Sequence, residues 1–121
     1  MAEVKIPQIW SQTIANQINT EEIIIALIKQ IKKDFNFFNH QIPFTETANE
    51  NYFTLFSELE SFIIAVFGKN TEKIYPILYR IDVSEKDIKA AINSNFISSI
   101  TETIILKELQ KVIIKRFYKS A

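Results

Sequence analysis

Apolar residues recur along the chain at steps of three and four, with Lys, Glu and Asn filling the positions between them. That period is the signature of helices with one buried face. Ile23, Ile24, Leu27, Ile28, Ile31 and Phe35 fall on one stripe and Lys29, Lys32 and Lys33 on the other side, which predicts a helix over 21–35. Asn19 and Thr20 offer capping side chains ahead of it, and Glu21 and Glu22 suit the positive end of the helix dipole. The run EEIIIALI taken alone would also suit a buried strand. Its length and the i, i+4 continuation select the helix.

The same reading continues in both directions. After Pro7, the spacing of Ile9, Trp10, Ile14 and Ile18 predicts a short amphipathic helix over 8–18. Residues 36–50 lose the period, carry Pro43 and read as a connecting loop. A helix over 51–67 would bury Tyr52, Phe56, Leu59, Ile63 and Val66, and Gly68 would end it in a left-handed conformation. Asn70 or Thr71 would cap a short helix over 72–80, with Pro76 in its first turn, where a missing N–H matters least. Ser84 with Asp87 resembles a capping box that starts a helix to about 93, and Asn93-Ser94-Asn95 reads as a break. A last helix over 95–118 would bury Ile97, Ile100, Ile104, Leu109, Ile113 and Phe117. The expected fold is all-α, a compact bundle of five or six helices.

Composition narrows this picture. A length of 121 residues suits one helical domain over 1–121, with 1–20 leaving room for a loosely attached N-terminal segment. One glycine and three prolines leave long helices uninterrupted. Fourteen basic and fourteen acidic residues cancel, so no global field gathers nucleic acid or an anionic membrane surface. The absence of cysteine and the single histidine argue against a disulfide framework, a thiolate nucleophile and a metal cluster, and no cofactor is expected. The longest apolar runs, IIIALI and FIIAVF, fall far short of the roughly 18 to 20 residues of a membrane span. The start MAEVKIPQIW lacks the features of a secretory signal, so the expected location is cytoplasmic. Heavy use of Ile, Lys, Asn and Phe fits an AT-rich coding sequence and points to a bacterial source.

Three stretches could carry chemistry. In YPILYRIDVSEKD, Arg80 is one of two arginines in the chain and demands carboxylate partners for its donors. Asp82, Glu102 and Glu108 are the candidates. Either Arg80 clamps the short helix to the long one, or Tyr75, Tyr79, Arg80 and Asp82 rim an anion-binding pocket. Lys107, Lys111, Lys115 and Lys119 lie four apart with Arg116 beside them, a basic ridge that reads as a solvated face or a phosphate-binding surface. Phe37, Phe38, His40 and Phe44 make the 36–50 loop unusually aromatic. These rings either cover one end of the bundle or form a partner surface.

Leu78-Tyr79-Arg80 also spells the tripeptide of the mitochondrial LYR accessory proteins. Those proteins carry it at the start of a first helix, whereas here it ends a mid-chain helix, and the match reads as accidental. LYRIDVSEKD followed by KELQKVIIKR resembles a set of small all-helical bacterial proteins with no assigned activity. The resemblance covers roughly 75–118 and implies the fold without assigning a role to any residue.

No catalytic constellation emerges. Glu58 with Glu60, and Glu85 with Asp87, point to different helix faces, and no Gly-rich phosphate loop, G-x-S-x-G, H-E-x-x-H or EF-hand loop is present. The expected function is therefore a non-enzymatic helical interaction or scaffold protein, self-associating as a homodimer. Leu55 and Phe62, apolar beside the 51–67 seam, would need a second neighbour within the bundle or from another chain. The alternative is an anion-binding module around Tyr79 and Arg80. A nucleic-acid role for the lysine ridge comes third.

Overall fold

The stripe from Ile23 to Phe35 becomes the buried face of the first helix, α1 (Thr20–Asn36), with all six predicted positions in the core. The computed structural model describes residues 20–43, 52–93 and 95–118, with side chains described for 23–43, 54–93 and 95–115. The predicted helix over 8–18, the capping residue Asn19 and Phe44 lie outside the described residues. The described chain continues through α2 (Tyr52–Phe67), a 3-10 turn (Thr71–Ile74), α3 (Tyr75–Arg80), α4 (Glu85–Ile92) and α5 (Phe96–Tyr118). It is all-α, and no strand occurs among the described residues.

The centre of the packing is α5, against which α1, α2 and α4 all lie. Its predicted stripe is too narrow for that position. Ile100, Ile104 and Leu109 are buried as expected and Ile97 and Ile113 partly so, but Thr101, Ile105, Glu108 and Val112 are buried as well. A helix with neighbours on several sides buries more than one face. The Thr101 hydroxyl donates to the Ile97 carbonyl at 2.7 Å, which satisfies a polar group that burial would otherwise penalise.

On α2 the seam runs Leu55, Phe56, Leu59, Ile63, Phe67. Val66, expected inside, is 42% exposed, because the seam leaves Ile63 by a step of four instead of three. Leu55 is fully buried and Phe62 packs edge-on against Phe35 at 6.1 Å, so the bundle itself supplies both with neighbours. Gly68 also departs from expectation, since its φ is not positive. Glycine is needed there because an added Cβ would collide with the Ile64 carbonyl, which accepts the Gly68 N–H at 3.0 Å. Neither Asn70 nor Thr71 caps the next segment through a side chain. The 3-10 turn feeds straight into α3, so Pro76 falls in the first turn without needing that cap. Ser84 does cap α4, its hydroxyl accepting the Asp87 N–H at 3.1 Å, and α4 ends at Ile92 before the predicted break.

The two helices that bear on the candidate site end in the same way. Beyond α1, the His40 N–H reaches back to the Phe35 carbonyl and Asn39 N–H to that of Asn36, with Asn39 at φ 65°. Beyond α3, the Val83 N–H reaches Leu78 and Asp82 N–H reaches Tyr79, with Asp82 at φ 69°. Both are Schellman motifs built on Asn or Asp in place of the usual glycine. In the second, Val83 and Leu78 are both buried, the apolar contact that normally accompanies the motif.

Candidate functional site

The apolar stripe of α1 contains two polar intruders. Gln30 and Asp34 share the face of Leu27 and Ile31, and Asp34 is fully buried. Helix α5 runs antiparallel beside them, as the pairings of 34 with 111 and 30 with 115 require. Asp34 accepts from Arg80 Nε at 2.9 Å on one oxygen, and from Gln30 Nε2 at 3.1 Å and Lys111 Nζ at 3.3 Å on the other. Lys115 Nζ donates to Gln30 Oε1 at 3.0 Å and extends the chain of donors outward. One carboxylate thereby ties α3 and α5 to α1.

The partner of Arg80 is therefore Asp34, which was not among the three expected carboxylates. Asp82 is exposed and occupied with ending α3, and Glu102 is exposed on α5. Glu108 does join the cluster, but through Asp34. The guanidinium of Arg80 also lies 3.9 Å from the centre of the Phe37 ring, a cation–π contact. At an effective dielectric of about 20 the gross attraction of such an ion pair is about 4 kcal/mol, and desolvating Asp34 offsets most of it. The arrangement matters chiefly through what breaking it would leave unpaired.

Glu108 is the unusual member. It is fully buried, and neither of its oxygens accepts a hydrogen bond from a fixed donor. Burial, a hydrogen bond to Asp34 and the charge of Asp34 push its carboxyl up to about 9, against weaker opposing effects of Lys111 and Lys115. The group is thus a neutral acid near pH 7, and its proton is the donor in that bond to Asp34. Burial pushes Asp34 upward too, but the hydrogen bonds from Glu108 and Gln30, the charge of Lys111 and the Arg80 bond together hold it below the usual carboxylate range. The pair shares one charge.

The other predicted site residues are dispersed. Lys111 and Lys115 turn toward α1, so the lysine ridge is not presented as one row; Lys107 is half-buried, and the Arg116 side chain and Lys119 lie outside the described residues. Tyr79 is exposed and Tyr75 packs partly against the core. The aromatic loop splits: Phe38 packs on the core, His40 lies edge-on against Phe67 at 4.9 Å, and Phe37 stays 63% exposed. Asp34 and Gln30 were not anticipated. The signal was there, since Asp34 lies seven residues after Leu27 and three after Ile31, and Glu108 four after Ile104 and four before Val112. An acid in register with an apolar stripe is a buried acid in waiting.

Among the described residues no group of three or more His, Cys, Asp or Glu could hold a metal ion, and no helix is long and apolar enough to cross a membrane. No protein-family model, curated protein or solved structure matches the chain.

Proposed function

We propose that the protein is a non-enzymatic helical interaction protein that associates with a second copy of itself through the corner carrying Phe37 and Tyr79. The observation that carries this reading is an exposed aromatic ring held in place. Phe37 is 63% exposed, yet its face is covered by Arg80, whose guanidinium is anchored by the buried Asp34. Aromatic and arginine side chains dominate the energetics of protein interfaces, and a ring already fixed loses little freedom on binding. Tyr79, one residue before Arg80, is also more than half exposed. The formal net charge of zero means that two copies do not repel one another. The alternative of an anion pocket at Arg80 is less well supported, because Asp34 already takes its Nε donor and Phe37 one face.

Light scattering on a size-exclusion column tests this. The wild type is expected at twice the mass of the chain, and F37S/Y79S at the mass of one chain with an unchanged helical circular dichroism spectrum. A wild type that stays monomeric from micromolar to millimolar concentration overturns self-association, and a dimer that survives F37S/Y79S overturns this corner as its interface.

A further inference from the structure

On the face of α1 away from Asp34, Lys29, Lys32, Lys33 and Asn36 stand at positions i, i+3, i+4 and i+7 and form one ridge. The chain returns along this ridge. The left-handed turn at Asn39 reverses its direction, Ile42 anchors in the core, and Gln41 and Pro43 become a second wall. Between ridge and wall lies a cavity of about 590 Å3 lined by these lysines, Asn36, Gln41, Ile42 and Pro43. That volume falls within the range of small-ligand sites, about 300–1,000 Å3.

Among the described residues that line this cavity, every charged one is basic. Asp34, the acid that follows Lys33 in the same helix, is held on the opposite face by Arg80 and Lys111. Lys29 and Lys33 form no ion pair with a carboxylate among the described residues. Compensation of the helix dipole accounts for Lys33 in the last turn, but not for Lys29 one turn earlier nor for a facing wall of amide and apolar groups.

We propose that this cavity binds a small phosphate ester, with Lys29 and Lys33 supplying the charge, Asn36 and Gln41 the directional hydrogen bonds, and Pro43 a seat for the apolar part. Ammonium groups act as point charges toward phosphate, and several on one ridge suit a dianion better than a monocarboxylate. This site is separate from the Phe37 corner and does not depend on self-association.

Calorimetric titration of the full chain with phenyl phosphate and with inorganic phosphate, at low ionic strength, tests the proposal. Phenyl phosphate is expected to bind saturably at one site per chain and more tightly than inorganic phosphate. K29Q/K33Q should weaken it by about tenfold or more per lysine. K86Q/K89Q on α4 removes the same net charge from exposed positions and should change affinity by less than about twofold. Sedimentation with phosphatidic acid vesicles separates the two sources of such an ester: vesicle binding lost in K29Q/K33Q alone, without phenyl phosphate binding, identifies a lipid headgroup. Absence of saturable binding in both assays, or equal weakening by the two double variants, overturns the proposal. Thermal melts of both variants establish that each is folded.

Discussion

Asp34 on α1 and Glu108 on α5 are both fully buried carboxyl groups lying against each other, and their protons behave in opposite ways. Asp34 receives fixed donors from Gln30, Arg80 and Lys111 besides the Glu108 proton and stays ionised, while Glu108 receives none and holds its proton. Burial is common to the two. The donors decide which one carries the charge, since a carboxylate in the interior persists only where hydrogen bonds replace water.

The largest test of this contrast is the pH dependence of stability. Unfolded Glu108 ionises near the ordinary value of 4.5, whereas in the folded protein it ionises at about 9. The stability it contributes is therefore full below the unfolded value, declines across this interval and is lost above the folded value. The slope reaches about 1.4 kcal/mol per pH unit. Denaturant melts from pH 5 to pH 9 should show a steep loss in the wild type and a much flatter profile in Glu108→Gln, whose amide can donate to Asp34 as the acid does. Equal slopes in the two proteins would mean that Glu108 is ionised and the contrast with Asp34 does not exist.

Removing the other partner should cost less. Asp34→Ala leaves Arg80 and Lys111 without their carboxylate, but both are about one-third exposed and can turn to water. The expected destabilisation is about 3 kcal/mol, the low end for breaking a buried pair. In the wild type the contribution of Asp34 is present above its unfolded value of 3.8 and lost as pH falls through its lowered folded value. The variant should lack that acid limb, and a chemical denaturation series down to pH 2 reads it directly. It should also let Glu108 ionise at lower pH, because the neighbouring negative charge is gone.

The smallest effect concerns how α3 is held at the cluster. Asp82 ends α3 in a left-handed conformation that glycine adopts without strain. Asp82→Gly should stabilise the protein by about 0.5–1 kcal/mol, less any gain in unfolded-chain entropy. A loss of stability in urea melts would show that the Asp82 side chain does more than end the helix.

Much of the bundle was legible because it is local. The α1 stripe, the Ser84 cap and the break before α5 follow from spacing and side-chain chemistry within a few residues. Errors appeared where a boundary depended on a neighbour. Val66 and Phe67 are both apolar, and only the direction of approach of the packed helix chooses between them. Gly68 looked like a left-handed terminator by residue type, whereas the Ile64 carbonyl sets its requirement by close approach.

The candidate site was far less legible. Arg80 stood out in the sequence, but its partner lies 46 residues away and nothing in the chain announces that pairing. Lys111 and Lys115 looked like a solvated ridge because a helix presents every fourth residue on one face. It does not say whether that face meets water or another helix.

The sequence by itself determined that this chain is helical, where its main helices run and which apolar residues lead into the core, because these follow from periodicity and local hydrogen bonding. Only the tertiary structure decided that α5 is central, that Asp34 is charged while Glu108 is not, and that Arg80 braces Phe37. Those properties depend on which side chains meet across separate helices. Charge and donor supply at a buried site are set by such neighbours, and one-dimensional spacing carries no record of them.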